Sequence, residues 1–351
     1  MAMLSRARVE SRGVVEETKL KLGCGIAGMR FLLLAIACAA CVECGMLADV
    51  ARKANQAQSL WYADESGGRF ASMSHAERVT MMGVLALPPH ARRASFMSAH
   101  ADVLSVQAPA PVPSAFDWRE QRYSHCVHSI RDQGKCGGCW AEAATEVLSD
   151  RLCLATNGSI TTTLSPLDLL ACDKKCRGCA GGYPDKAWEY LASSGIYSDS
   201  CMPWNLSRSL LCPLSRCQDG RLLRNQTKYF AEKKETYSVF GDIRSEIITN
   251  GPVEAVFRVY EDFMTYTGGI YKWSGVGKLL GLHAVKLLGY GAGLDNNGTS
   301  IPYWIAANSW NTSWGEQGYF RIAKGECGID TAVTAARACV PGSSSVGCMH
   351  Q

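Results

Sequence analysis

Seventeen cysteines occur in 351 residues, and all but Cys24, Cys38, Cys41 and Cys44 fall between Cys126 and Cys348. Such a density predicts an oxidising compartment and a fold fastened by disulfides. The distribution also divides the chain. Eight of the nine tryptophans lie beyond the run Gln107-Ala-Pro-Ala-Pro-Val-Pro113. Closely spaced prolines remove amide donors and resist both helix and strand, so this run predicts an extended, easily cut linker.

The part ahead of the linker reads as a leader. Phe31 to Val42 is a twelve-residue apolar stretch preceded by Met29-Arg30. It is too short to span a bilayer comfortably and has the pattern of a secretory signal with translation starting at Met29; the alternative, with Met1 as the start, is a short signal anchor. Residues 1–46 are therefore assigned to a signal-bearing leader. Residues 47–111 form a helix-compatible module with one tryptophan, Trp61, and no cysteine. Residues 112–340 form the working domain, and 341–351 a flexible tail. The chain is 47% hydrophobic and 19% charged, which supplies a globular core and argues against disorder. From Val112 onward there are 24 Lys+Arg and 23 Asp+Glu with no basic stripe, so a nucleic-acid partner is not expected.

Within the working domain the pattern changes midway. Its first half carries helical periodicity after Cys139, a second helical candidate at Pro184–Ser193, and cysteine-rich loops between Cys172 and Cys217. In the second half Val253, Ala255, Phe257 and Val259 alternate, and 284–288, 303–307 and 319–322 are short apolar runs bounded by Gly, Asn or Pro. The expectation is an α+β chain with a helical lobe, an antiparallel β lobe and a cleft between them.

Chemistry is concentrated in Gln133-Gly-Lys-Cys136-Gly-Gly-Cys139-Trp140. Apolar residues Trp140, Ala143, Ala144, Val147, Leu148 and Leu152 recur at spacings of three and four, placing the Cys139 thiol on the first turn of a helix. A helix N-terminus favours the thiolate, predicting a depressed pKa if a base stands nearby. Four histidines follow the linker: His125, His128, His283 and His350. His283 lies 144 residues after Cys139, inside the roughly 130–150 spacing of papain-like thiol peptidases. Asn308, followed by Ser309 and Trp310, supplies an amide oxygen to orient the imidazole, with Trp310 shielding that bond.

These motifs, with Phe116-Asp-Trp-Arg-Glu120, Cys179-Ala-Gly-Gly-Tyr-Pro184, Gly251-Pro-Val-Glu254, His283-Ala284 and Asn308-Ser-Trp-Asn-Thr-Ser-Trp-Gly315, resemble those of the papain family of cysteine peptidases, in its cathepsin B-like branch. The resemblance runs from about Trp61 to about Ala336. It implies a papain-like two-lobed fold, with an N-terminal helical lobe and a C-terminal antiparallel β-barrel-like lobe flanking an active-site cleft. It also implies a zymogen in which 47–111 is an inhibitory propeptide. Cys139 is then the nucleophile, His283 the acid/base, Asn308 the orienting group, and Gln133 the side-chain donor of the oxyanion hole. Gly181 and Gly182 would pair with substrate backbone, while Trp310, Leu282 and Ala332 would line the substrate site. The implied disulfides are Cys126–Cys153, Cys136–Cys179, Cys172–Cys212 and Cys201–Cys217, leaving Cys176, Cys327, Cys339 and Cys348 unassigned. Peptide and protein substrates are expected, with no metal or cofactor, no stable membrane span and a monomeric chain in a secreted or lysosome-like compartment.

Departures from the family bear on specificity. No histidine lies between Cys201 and Cys217, where the cathepsin B-like occluding loop carries two, so endopeptidase rather than carboxydipeptidase action is expected. Ala332 stands where the family has an acidic residue, predicting an apolar preference in that pocket. Gly138 replaces a serine, Glu142 a phenylalanine and Leu282 a glycine. Sequons start at Asn157, Asn205, Asn225, Asn297 and Asn311, the last expected to be shielded between Trp310 and Trp314. Two other readings remain: a catalytically impaired pseudo-peptidase, and a zinc module built on Cys136-x-x-Cys139 and Cys176-x-x-Cys179.

Overall fold

The computed structural model describes residues 46–85, 112–206, 212, 215–233, 239, 242–342 and 348. The apolar stretch 31–42, most of the linker, His350 and most of the tail lie outside the described residues.

The longest helix, α3 (Cys139–Ala155), is buried from Cys139 through Cys153. Its apolar positions pack against α4 (Pro166–Cys172) and α5 (Pro184–Ser193), forming the helical-lobe core around Trp140, Val147, Leu148, Trp188 and Leu191. A helix buried all round must also bury its charges. Glu142, Glu146 and Asp150 recur every four residues and so share one face. Arg131 pairs with Glu142 at 3.0 Å and with Glu146 at 3.6 Å. Lys286, from the other lobe, pairs with Asp150 at 2.7 Å and Glu146 at 3.5 Å. Breaking such a pair from one side would strand a buried charge at a cost of about 3–5 kcal/mol. This face therefore fixes the orientation of one lobe on the other.

The second lobe is one eight-stranded sheet in the order β1-β4-β7-β6-β5-β3-β8, with β2 (Phe116–Asp117) pairing β5. The strands are β1 (Trp61–Ala63), β3 (Val253–Tyr260), β4 (Tyr266–Tyr271), β5 (Leu279–Leu294), β6 (Ser300–Ala307), β7 (Tyr319–Ala323) and β8 (Val333–Thr334). Two features differ from the antiparallel, barrel-like expectation. The strand order has free ends at β1 and β8, so the sheet does not close. And β4 pairs β7 in parallel, Ile270 opposite Arg321, because the long β5–β6 hairpin intervenes in sequence before β7 returns beside β4.

The module ahead of the linker does not stand apart. Its helix α1 (46–57) and strand β1 lie on the sheet, with Trp61 opposite Gly269 of β4. Leu47, Ala51, Trp61, Phe70, Met73 and Met81 join the same apolar cluster as Phe263, Tyr271 and Trp304. Helix α2 (His75–Thr80) starts with a capping box, Ser74 accepting from the Glu77 amide while the Glu77 carboxylate accepts from the Ser74 amide.

Disulfides join Cys126 to Cys153, Cys136 to Cys179, Cys172 to Cys212, Cys201 to Cys217 and Cys339 to Cys348. Cys139, Cys176 and Cys327 are free thiols. With Cys136 bonded to Cys179, the four-cysteine zinc set is not available. Asn311, expected to be shielded, is exposed in a turn at φ 66°, since only its flanking tryptophans point inward.

Candidate active site

The turn before α3 is held by the Cys136–Cys179 disulfide and by the Gly137 amide donating to Cys179 O at 3.1 Å. A Cβ on Gly138 would stand 3.0 Å from the Trp204 ring and 3.2 Å from Cys136 Sγ, which accounts for a residue without a side chain there. Cys139 is the first residue of α3, where the backbones of Ala284, Gly83 and Trp140 favour its thiolate. Ala284 follows His283 in β5, so the thiol and the imidazole come from facing lobes. Segment 131–133 lies against 309–311, with Gln133 N–H donating to Ser309 O at 2.9 Å and Asn311 N–H to Arg131 O at 2.9 Å. This pairing brings Gln133 and Asn308 to the same end of the cleft.

His283 is fully buried, and its Nε2 lies 2.8 Å from Asn308 Oδ1. That oxygen also accepts the Ser309 amide at 2.9 Å, which fixes the orientation of the Asn308 side chain. Nε2 must then carry the hydrogen, leaving Nδ1 bare in the neutral ring. Nδ1 is buried without a hydrogen-bond partner among the described residues, and in this tautomer it can accept a proton. Trp310 is buried over the ring at 4.8 Å between centroids and keeps water from the Nε2 bond.

Gln133 is fully buried as well. Its Oε1 accepts from Ser309 Oγ at 2.6 Å, and its Nε2 donates to Cys136 O at 2.8 Å and Met81 O at 2.9 Å. One N–H is thus committed to the scaffold and the other points at a carbonyl of the leader. Ser309 as the buttress of Gln133 was not foreseen; its place within the Asn308-Ser-Trp run was the available signal.

The leader fills the cleft. Gly182 N–H donates to Gly83 O at 2.8 Å, Leu85 N–H to Gly182 O at 2.9 Å, and Val84 N–H to Leu282 O at 3.2 Å. The segment is thereby stitched to both walls. A Cβ on Gly83 would come 2.0 Å from Gly137 O, and one on Gly181 would come 2.8 Å from Gly83 O. Val84 packs into the helical-lobe core beside Leu282, Val256 and Ala284. Ala332 is exposed, its carbonyl accepting the Val256 amide at 3.0 Å.

Enclosure reverses the expected thiol acidity. Burial under the leader pushes Cys139 up to about 12, outweighing the backbone groups that favour the thiolate. Burial likewise lowers His283 to about 4, against the opposing bond to Asn308. Both groups are neutral in this closed state. Glu254, in the Gly251-Pro-Val-Glu254 run, is a fully buried carboxyl that accepts from Trp188 Nε1 at 2.8 Å and Thr334 Oγ1 at 3.2 Å. Burial raises it to about 8. Glu142, placed where the family has an aromatic ring, is raised to about 7 by burial despite its pairing with Arg131.

Residues 112–337 match the family described as papain family cysteine protease. A Caenorhabditis elegans relative, cathepsin B-like cysteine proteinase 5, is 38% identical over 320 residues, covering 80% of this chain and 87% of its own. A cathepsin B-like cysteine proteinase of Schistosoma japonicum is 35% identical, covering 78% of this chain and 85% of its own. Among solved structures, proCathepsin B S9 from Trypanosoma congolense superposes with TM-score 0.65 and 29% identity, covering 80% of this chain and 94% of its own. Procathepsin L 3 of Tenebrio molitor gives TM-score 0.58 at 26% identity, covering 83% of this chain and 87% of its own. The match therefore extends through the leader, which contacts the protease domain as a propeptide, and the chain belongs to the papain family of cysteine proteases.

Proposed function

We propose that this chain is the zymogen of a cathepsin B-like endopeptidase that uses Cys139, His283, Asn308 and Gln133, and that residues 47–111 inhibit it until cleavage near Val112. The observation that carries this reading is the leader backbone stitched between Gly182 and Leu282 across Cys139. The leader passes Cys139 at Gly83, where a Cβ would come 2.0 Å from Gly137 O. It also engages the Gln133 amide through Met81 O. Occupancy of the cleft beside Cys139 and Gln133 accounts for inhibition.

Once the leader departs, water and substrate reach the pair, and the Cys139 proton passes to the bare Nδ1 of His283. The thiolate attacks the peptide carbonyl carbon, and the oxyanion takes the N–H bonds of Gln133 Nε2 and the Cys139 backbone. Nδ1–H then protonates the departing amine as the C–N bond breaks, leaving a thioester on Cys139. A water molecule, deprotonated by Nδ1, attacks the thioester and frees the acid and the thiol. Asn308 holds the ring in the required tautomer throughout.

Endopeptidase action is supported by the histidine-free segment between Cys201 and Cys217. An apolar pocket for the residue preceding the cleaved one is supported by Val84 beside Leu282, Val256 and Ala284, with Ala332 adding no charge. Passage through the secretory pathway is supported by the 31–42 stretch and the disulfides; among the described residues no helix is long and apolar enough to cross a membrane. The test is an irreversible epoxysuccinyl probe after leader removal, alongside mass mapping of products from an internally quenched peptide blocked at its C-terminus. Cys139 labelling that falls on His283→Ala, with cleavage inside the blocked peptide, is expected. Labelling unaffected by that substitution would sink the catalytic assignment.

A further inference from the structure

Arg69 of the leader places Nη2 at 3.1 and 3.0 Å from the two carboxylate oxygens of Asp132, and its Nη1 donates to Trp310 O. Asp132 directly precedes Gln133 and bridges Trp310. From there the leader runs on to Met81 at Gln133, Gly83 at Cys139 and Val84–Leu85 at Gly182. Val84 sits at the apolar pocket proposed for the residue preceding the cleaved one, and Leu85 at Gly182, so Asp132 lies toward the opposite end, where the leaving group departs. Removal of the leader frees the Asp132 carboxylate on that wall.

Beside Asp132 is a cavity of about 450 Å³ whose lining includes Arg131, Glu142, Asp199 and Trp204. Trp204 forms its rim against the turn at Gly138. The lining sets Asp132, Glu142 and Asp199 beside Arg131, His125 and His128. Arg131 is consumed by Glu142, Glu146, Thr145 Oγ1 and Leu164 O. His128 is held by Asp150 at 2.7 Å and Thr161 O at 3.1 Å. Glu142 is 1% exposed, yet its Oε1 has no hydrogen-bond partner among the described residues. Burial raises Glu142 to about 7, so above that pH the leftover oxygen is a buried acceptor that calls for a donor from a ligand. A bare metal ion is a poor match. Among the described residues the His/Cys/Asp/Glu group close enough for a metal is His125, Cys126 and Cys153, and those two cysteines are tied in a disulfide.

We propose that Asp132, with the Glu142-lined cavity behind it, is a subsite for an arginine or lysine side chain of the substrate on the leaving-group side of the cleaved bond. Arg69 occupies its mouth in the zymogen. A guanidinium meets Asp132 through paired N–H···O bonds of the kind Arg69 makes, and a long basic side chain reaches past Trp204 toward Glu142. The enzyme would then favour peptides with apolar residues before the bond and basic residues after it.

This inference rests on the peptidase reading, and the test separates the two. After cleavage of the leader from the full chain, kcat/KM is measured on quenched peptides identical up to the cleaved bond, with arginine or glutamine at either of the two following positions. A dye amide with no residue after the bond reports the reaction alone. One arginine peptide is expected to exceed its glutamine twin about tenfold, the size of one partly solvated charge-assisted contact. That ratio should shrink in high salt. It should fall toward one in Asp132→Asn, which retains the acceptor for the Gly134 amide, and be reduced in Glu142→Gln. Turnover of the dye with equal rates on arginine and glutamine peptides overturns the subsite and leaves the peptidase reading intact. So does a preference unchanged by salt and by both substitutions. No turnover of dye or peptides overturns both.

Discussion

Replacing Gln133 with alanine tests the reaction chemistry apart from the nucleophile. The Gln133 amide has two N–H bonds; one is spent on Cys136 O at 2.8 Å and the other, now on Met81 O at 2.9 Å, is free for an oxyanion after leader release. One transition-state donor is therefore lost. Losing such a donor costs about 2.7–4 kcal/mol, or about 10²–10³ in kcat. Because the contact strengthens only as charge develops, KM should move little. The substitution also leaves Ser309 Oγ and Cys136 O short of a partner, at about 1–3 kcal/mol each if no water enters. Melting temperature must therefore be recorded beside the kinetics, and competent thiols counted with iodoacetamide, whose reaction forms no oxyanion. The expected result is a fall of about 10²–10³ in kcat with thiol titre retained. A folded variant with kcat within about threefold of the parent would refute the oxyanion role.

Two further substitutions probe separate parts of the account. Gly83→Ala puts a methyl 2.0 Å from Gly137 O, so the leader cannot seat as it does, and the uncleaved chain should gain probe labelling at Cys139; labelling as slow as in the parent chain would show that the leader is not held by this contact. Glu254 is raised from about 4.5 to about 8 by burial, so the folded state holds its proton more tightly than the unfolded chain. It imposes no penalty below about pH 4.5, and its cost grows as pH rises through that value, levelling off above about pH 8. At about 1.4 kcal/mol per unit the upper bound is of order 4–5 kcal/mol. Glu254→Gln should accordingly raise the melting temperature at pH 8 and change it little at pH 4.5; an equal shift at both would contradict the assignment.

Local signals made much of the fold legible. Gly-Gly-Cys139 followed by apolar residues at three and four marks a helix start, and α3 runs from Cys139 to Ala155. Pro184 opens α5, where its missing amide costs nothing. Alternation at Val253 to Val259 marks β3. What escaped the sequence depends on partners distant along the chain. Trp61 was visible as a lone tryptophan, but its strand pairing with Gly269 was not. The parallel register of Ile270 with Arg321 follows from tertiary return, not from either segment's pattern. In the site, order and spacing pointed to His283 and Asn308, whereas Ser309 Oγ on Gln133 and Arg69 on Asp132 depend on side-chain directions set by packing. Glu142 read as an anomaly because its partner, Arg131, lies on a loop whose course no periodicity reports. The thiol's acidity was expected from its helix N-terminus with a base nearby, and burial in the covered cleft reverses it.

On the proposed mechanism the leader holds Cys139 and His283 neutral and its departure allows their ion pair to form. Iodoacetamide alkylation of Cys139, followed by mass spectrometry from pH 4 to 10 before and after leader cleavage, tests it most directly. The account predicts negligible alkylation of the full chain across this range, in keeping with a thiol near 12. After cleavage it predicts fast alkylation already near pH 5, lost in His283→Ala. Equal rates before and after cleavage, or a cleaved protein whose Cys139 reacts only above pH 8, would contradict it.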